Sequence, residues 1–173
     1  MAWAHLSSIL EPVNYLRQII GFDTFSGFAG LDKKDGGGTS EHLRSGGFDA
    51  GEDAETDLRQ AIDLYDVNRL MNHIPKVSLV RGDVGQTLPA YLEENPHLVV
   101  ALLHLDADLY EPTRATLELL RPRMPRGAII VFDELNMKLF PGETLATMEV
   151  LGVDNLQLRR FPYATSMSYA VID

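Results

Sequence analysis

Short apolar runs alternate with stretches of helical periodicity along most of the chain. The predicted strands lie at 19–23, 77–83, 98–106 and 128–134, and each ends in one or two acidic residues. Between them, apolar side chains recur every three or four residues, which predicts helices at 1–10, 56–73, 87–95, 113–120 and 143–151. This alternation predicts an α/β fold with an open, mostly parallel sheet and helices on both faces.

Two of the predicted strands are apolar throughout, at 98–106 and 128–134. Such runs are typical of parallel strands that are covered on both faces. The last two apolar stretches, 156–161 and 166–173, flank a turn at 162–165 and predict a C-terminal antiparallel hairpin at the edge of the sheet.

The segment 29–55 differs from the rest of the chain because it is rich in glycine and charge and poor in apolar residues. We interpret residues 1–173 as one domain in which this segment forms a long, mobile loop. A loop of this length inside a compact domain is usually functional, which favours a lid over a ligand. A simple linker is the alternative.

Composition narrows the function classes. The chain has 15 basic and 25 acidic residues, a net charge of −10, which argues against nucleic acid and anionic membranes as partners. It has no cysteine, which is compatible with a cytoplasmic protein. Its longest apolar run is too short to span a bilayer, and its N-terminus has no signal-peptide pattern.

Acidic residues end four of the predicted strands, at Asp23, Asp83, Asp106 and the pair Asp133–Glu134. In an open parallel sheet, ligands bind outside the carboxyl ends of the strands, so we expect these acids along one rim. The alternative for a single strand-end Asp is an N-cap of the following helix.

The first two acids suit a nucleoside. Asp23 ends an early strand, where a carboxylate can accept hydrogen bonds from both hydroxyls of a ribose. Asp83 can accept a hydrogen bond from an exocyclic adenine amine. His104, inside the third strand, is interpreted as a hydrogen-bonded core histidine.

The remaining acids suit a metal. Asp106, Asp133 and Glu134 are expected on neighbouring strands, where clustered carboxylates repel one another unless a proton or a cation intervenes. Oxygen-only ligands favour a hard divalent ion, Mg²⁺ first. Asp108 faces the same rim and is the candidate general base.

The chain resembles the macrocin-type O-methyltransferases in the stretches GFDTFSGF, RGDVGQTLP, HLDADLYEPTRATLELLRPRMPRGAIIVFDE and FPGET. These are class I enzymes with a Rossmann-like fold that methylate sugar hydroxyls with S-adenosylmethionine and Mg²⁺. The resemblance runs from about Gln18 to the C-terminus. It implies that Asp23 and Thr24 bind the cofactor ribose, and that Asp83 and Val84 lie on the adenine side.

By the same resemblance, Asp106, Asp133 and Glu134 would hold the metal, and Asp108 would be the base. The acceptor would be a sugar-like or other small polar molecule with a free hydroxyl. One departure is the Asp133–Glu134 pair, because the family usually has Asp-Asp there.

A second departure concerns the start of the domain. The family opens with a central strand and a Gly-rich turn that contacts the cofactor, and no stretch of this chain matches them. We therefore expect an N-terminally incomplete domain that folds marginally and binds S-adenosylmethionine weakly.

Two other function classes stay open at this point. A nucleotide-sugar glycosyltransferase also uses an Asp-x-Asp motif, here Asp106 and Asp108, to hold a metal. An incomplete methyltransferase could instead be inactive, or it could be an interaction subunit that completes its sheet with another chain. A homo-oligomer is also possible.

Overall fold

Five strands and five α-helices alternate in the computed structural model, which describes residues 1–173. The strands are β1 (Ile19–Asp23), β2 (Val77–Arg81), β3 (Leu102–Leu105), β4 (Ile129–Phe132) and β5 (Ser168–Val171). The helices are α1 (Ala2–Leu10), α2 (Ala54–Val67), α3 (Val84–Glu94), α4 (Tyr110–Leu120) and α5 (Gly142–Val150). Three short 3-10 helices lie at Lys33–Gly37, Arg121–Arg123 and Val153–Asn155.

The strands form two sheets. β1 pairs with β2 in parallel, and β3 pairs with β4 in parallel, while β5 lies antiparallel to β4. The predicted α/β fold with a mostly parallel sheet is therefore confirmed. No ladder joins the two sheets, so β1 and β3 each have one edge without a backbone partner.

β3 is shorter and more exposed than its sequence predicts. Only residues 102–105 of the apolar run form a strand, and the side chains of Val99 and Leu102 are 66% and 36% exposed. The prediction of a strand across the whole run, covered on both faces, is wrong in this respect. β3 has a single neighbour, so its other edge gives these side chains nothing to pack against.

The C-terminal segments meet differently from a simple hairpin. β5 forms its ladder with β4, where Ala170 lies opposite Ile130. The stretch before the turn pairs its backbone with β5 only at the isolated bridge between Arg159 and Tyr169. The antiparallel edge strand therefore stands, with β4 as its main partner.

The core lies between the three-stranded sheet and helices α3 and α4. Twelve buried apolar side chains form one cluster, among them Leu88, Leu117, Ile130 and Phe132, each no more than 1% exposed. Phe22 of β1 packs against this cluster and meets Tyr91 of α3 edge-to-face. Helix α3 thus connects the smaller sheet to the larger one.

Helices α1 and α2 are more exposed. α1 ends before Pro12 as predicted, but Leu6 and Leu10 on its apolar face are 47% and 76% exposed, and only Ala4 is buried. α2 ends at Val67, six residues earlier than its periodicity predicts, so Leu70 lies beyond it. None of the five helices combines the length and the apolar character that a membrane crossing requires.

The segment 29–55 is folded onto the helices. Its 3-10 helix begins with a capping box. The Asp32 side chain accepts from the backbone N–H of Lys34, and the Asp35 side chain accepts from the backbone N–H of Asp32. The buried Asp35 also accepts from the backbone N–H of Tyr110, and Lys34 contacts Tyr110 and Glu149. The structure therefore places this segment over the start of α4, and its mobility remains a prediction.

Candidate active site

A cleft of about 600 Å³ lies at the carboxyl ends of the strands. It brings together seven residues that the sequence singles out: Asp23, Thr24, Asp83, Val84, Asp106, Asp108 and Glu134. Asp133 does not line the cleft, but its charge acts on Asp106 and Glu134 next to it. The strand ends therefore meet along one rim.

The parallel ladders explain this convergence. Asp23 is the last residue of β1 and lies opposite Arg81, the last residue of β2, so Asp83 follows directly at the same edge. In the other sheet, the backbone N–H of Asp133 donates to the carbonyl of Leu105 at 3.2 Å, which sets Asp133 beside Asp106.

Asp23 and Thr24 start a tight turn. The Asp23 carboxylate accepts from the N–H of Phe25 at 2.7 Å, and the Thr24 hydroxyl donates to the carbonyl of Gly27 at 2.6 Å. Phe25 has a φ of +53°, a conformation that costs free energy in a non-glycine residue and that occurs often at functional sites. One Asp23 oxygen is therefore used by the turn, and the other is available to a ligand.

Asp83 is the N-cap of α3. Its carboxylate accepts from the N–H of Gly85 at 2.9 Å, which satisfies one of the unpaired donors at the start of the helix. The N-cap alternative from the sequence is thus realised. It leaves the second oxygen with only a 3.5 Å contact to the Gln86 amide, so a ligand amine can compete for it.

The carboxylates after β3 and β4 form an electrostatically strained cluster. Burial, followed by the negative charges of Glu134, Asp106 and Asp133, raises the pKa of Asp108 to about 7. Burial and neighbouring carboxylates also raise the pKa of Asp133 and of Glu134. No lysine or arginine contributes to these shifts, and the one opposing charge is that of His104, which lowers the pKa of Asp133 by less than burial raises it.

Glu143 is a site residue that the strand-end argument missed. It is fully buried at the start of α5, and its Oε1 accepts from the backbone N–H of Glu134 at 2.9 Å. Burial raises its pKa to about 8, and its Oε2 has no hydrogen-bond partner. The stretch FPGET contains this residue, so the sequence carried a signal at this position.

The same cluster offers possible ligands for a metal ion. Its oxygen donors fit a hard cation chemically, and the buried Oε2 of Glu134 has no hydrogen-bond partner. However, the structure contains no group of three or more acidic or histidine side chains arranged to hold a metal ion. The donor set fits Mg²⁺ by its chemistry, whereas the side chains are not gathered around a common point.

His104 is hydrogen-bonded within the protein as the sequence predicts, but it is half-buried on β3 and does not lie in the core. Its Nδ1 accepts from the indole N–H of Trp3 at 3.2 Å, and the two rings meet edge-to-face. Its Nε2 is buried without a partner. This contact attaches α1 to β3.

Sequence reasoning missed the aromatic side chains that line part of the cleft. Phe25, Phe28 and Phe48 line the same cleft as the acidic residues named above, and Phe48 is 50% exposed with a φ of +58°. Phe28 and Phe48 lie in or beside the segment 29–55, whose composition gave no reason to expect an ordered aromatic group.

Parallel strands with a cleft at their carboxyl ends are typical of open α/β folds, and solved structures identify this one as the class I methyltransferase fold. The crystal structure of CalS11, calicheamicin methyltransferase, matches with a TM-score of 0.92 and 39% identity over 98% of this chain. The apo structure of CalS11, described as a TDP-rhamnose 3'-O-methyltransferase, matches with a TM-score of 0.81 and 36% identity over 98% of this chain. The O-methyltransferase NovP, at 20% identity over 98% of this chain and 65% of its own, shares the fold with a TM-score of 0.66.

The family model of the macrocin-O-methyltransferases (TylF) matches residues 7–147. The chain therefore belongs to this methyltransferase family. It spans 65% and 64% of the two CalS11 chains, slightly under two thirds of their length. Comparison with curated proteins gives no match.

Proposed function

We propose that this chain carries out O-methyl transfer from S-adenosylmethionine to a hydroxyl group of a sugar-like acceptor, assisted by Mg²⁺. The observation that supports this most is the single cleft in which two nucleoside-type carboxylates, Asp23 and Asp83, face the uncompensated acids Asp106, Asp108 and Glu134. The relatives described as sugar O-methyltransferases in calicheamicin biosynthesis support the same acceptor class.

The cofactor end of the proposal rests on β1 and β2. The free oxygen of Asp23 would accept from the ribose hydroxyls, and the turn at Thr24 would place the backbone against the sugar. Asp83 would accept from the adenine amine with its weakly engaged oxygen, while Val84 would contact the apolar face of the base.

The acceptor end rests on Asp108. This carboxylate lines the cleft and has no hydrogen-bond partner within the chain that would compete for a substrate proton. It would take the proton as the acceptor O–H bond breaks. The oxygen lone pair then forms the new bond to the methyl carbon, and the carbon–sulfur bond breaks with its electron pair left on sulfur, which gives S-adenosylhomocysteine.

Mg²⁺ would be held by Asp106, Asp133 and Glu134. When bound, such an ion lowers the pKa of a coordinated hydroxyl and offsets the repulsion between carboxylates. Without it, burial and the neighbouring carboxylates raise the pKa values of Asp133 and Glu134, as expected for acids that share one rim.

The decisive experiment compares ligands and then chemistry. S-adenosylhomocysteine should raise the melting temperature of the chain, whereas thymidine diphosphate alone should raise it less, because the main nucleoside site belongs to the methyl donor. The reverse ranking would favour a glycosyltransferase. With labelled S-adenosylmethionine and TDP-rhamnose as acceptor, Asp108→Asn should lower methyl transfer by about 10²-fold or more while S-adenosylhomocysteine still binds.

A further inference from the structure

The half-exposed ring of Phe48 stands in the cleft with one face already covered. His42 stacks on it at 4.4 Å between ring centroids, with 23° between the planes. Phe28 meets it edge-to-face at 5.5 Å, and Phe140 contacts it at 5.6 Å. The ring lines the cleft and is 50% exposed, so its second face is open to a ligand.

The backbone holds Phe48 in a costly conformation. Its φ of +58° is one that side chains other than glycine rarely adopt, and such a conformation persists only where surrounding contacts impose it. Here the preceding Gly47 accepts a hydrogen bond from the N–H of Phe28 at 2.9 Å, and Gly46 donates to the Phe28 carbonyl at the same distance. Gly47 must lack a Cβ, because one would collide with the carbonyl of His42.

The position of Phe140 links Phe48 to the acidic end of β4. Phe140 is 6% exposed and lies between the acidic end of β4 and α5, on the segment that carries Glu134. Phe48 packs against this segment through Phe140 and against the segment after Asp23 through Phe28, so its ring is within the same cleft as Asp108 and Glu134.

We propose that Phe48 is a stacking platform for the acceptor's sugar ring, and that it sets the preference for an acceptor with an apolar ring face. This inference rests on the proposed function and specifies its acceptor subsite. A pyranose presents C–H bonds on one face and hydroxyl groups at its edge. The electron-rich face of a phenyl ring attracts such C–H bonds, while the carboxylates that line the same cleft accept from the hydroxyls.

The test uses the 1–173 chain with TDP-rhamnose, thymidine diphosphate and S-adenosylhomocysteine as probes. Phe48→Leu removes the ring but keeps an apolar side chain, and leucine meets the same backbone strain at this φ as phenylalanine. Phe161→Leu is the matched control, because Phe161 is also 50% exposed and stacked on aromatic neighbours, but lies near the C-terminal turn outside the cleft. Melting temperatures of both variants report whether folding is affected.

Phe48→Leu should weaken TDP-rhamnose binding on the order of tenfold, which is about 1.4 kcal/mol. It should raise the KM for TDP-rhamnose more than it lowers kcat, and leave the affinity for S-adenosylhomocysteine unchanged. Phe48→Tyr keeps an aromatic ring and should retain the wild-type affinity for TDP-rhamnose. Phe161→Leu should match the wild type.

Three results would overturn the inference. One is an equal loss of affinity for thymidine diphosphate, which would assign the ring to a nucleobase. Another is an equal effect of Phe161→Leu, and the third is a wild-type chain that binds S-adenosylhomocysteine but not TDP-rhamnose. A chain that binds TDP-rhamnose through Phe48 but not S-adenosylhomocysteine would support the sugar platform and reject the methyl-transfer proposal.

Discussion

The buried carboxylate of Asp35 accepts a hydrogen bond from the backbone N–H of Tyr110 at 2.9 Å, across a sequence separation of 75 residues. Tyr110 is the first residue of α4, two positions after Asp108. The loop that carries Phe48 is therefore anchored to the same helix start that follows the acidic end of β3. This loop and the candidate base of the cleft therefore share one fixed point.

Removing this anchor should release the loop. In Asp35→Ala, the N–H groups of Tyr110 and Asp32 lose their acceptor, and each buried unpaired group costs about 1–3 kcal/mol. Amide hydrogen exchange over residues 29–50 should become faster, with little change in β4. Glu52→Ala, an exposed acid of the segment 29–55, is the control and should behave as the wild type. Unchanged exchange in Asp35→Ala would mean that other contacts hold the loop.

The same residue predicts a pH dependence of stability. Burial raises the pKa of Asp35 above its ordinary value of 3.8, assisted by the charges of Asp32 and Glu111 and opposed by its two backbone hydrogen bonds. The folded state therefore binds the Asp35 proton more tightly than the unfolded state. Its contribution to stability is complete below pH 3.8 and declines as pH rises through the raised pKa.

Asp35→Asn cannot titrate, so it provides the reference for this effect. The free energy of unfolding of the wild type minus that of Asp35→Asn should decrease as pH rises above about 4, and then become constant. Urea unfolding at several pH values between 4 and 7 measures it. A difference that grows with pH would show that the hydrogen bonds outweigh burial.

Gly142 should be the least replaceable glycine at this junction. A Cβ there would collide with Asp35 Oδ1 and with the backbone N of Tyr110, whereas a Cβ on Gly36 meets nothing within 4 Å. Gly142→Ala should lower the free energy of unfolding by about 1–3 kcal/mol, as overpacking usually does. Gly36→Ala should be neutral or slightly stabilising, because alanine restricts the unfolded chain. Denaturant unfolding measures the free energy of unfolding of both variants. Equal values for Gly142→Ala and Gly36→Ala would refute the close packing around Gly142.

The unpaired edge of β3 predicts an alternating exchange pattern. The carbonyls of Ala101 and Leu105 accept from β4, so the backbone groups of the odd-numbered residues face β4 and those of Leu102 and His104 face the free edge. By amide exchange measured with NMR, Leu103 should be protected and Leu102 and His104 should exchange quickly. Slow exchange at all three positions would show that a further strand or a second chain pairs with this edge.

Metal affinity tests the acidic cluster. Asp106→Asn preserves size and removes one charge, so calorimetric Mg²⁺ affinity should fall tenfold or more if this residue is a ligand. Asp63→Asn, an exposed acid on α2, should leave it unchanged. Equal affinities in the two variants would remove Asp106 from the metal assignment.

The sequence predicted the rim because its signals are local. An apolar run followed by an acid is enough to identify the ends of β1, β2, β3 and β4, and parallel pairing then places those ends together. The extent of β3 could not be predicted, since residues 98–101 are as apolar as a strand and only the missing neighbour leaves them outside it. The main partner of β5 likewise depends on competition between β4 and the stretch 156–161.

The residues that sequence reasoning missed are those defined by long-range contact. Asp35 looks like any acid in a Gly-rich loop until the start of α4 lies against it, 75 residues later. Phe48 acquires its role only from His42, Phe28 and Phe140, which come from separate parts of the chain. Charge and glycine content correctly marked the segment as unusual, but they carry no information about which aromatic ring it presents.

The contact between Trp3 and His104 gives the molecule an internal optical reporter. Trp3 is the only tryptophan of the chain, and its ring lies 5.8 Å from an imidazole on the strand that leads to Asp106. Selective excitation near 295 nm therefore observes a single fluorophore at the junction of α1 and β3. Undocking of α1 would expose the indole to water and shift its emission to longer wavelength. Ligand titrations that follow this emission can thus distinguish events that disturb the amino-terminal helix from events confined to the segment 29–55.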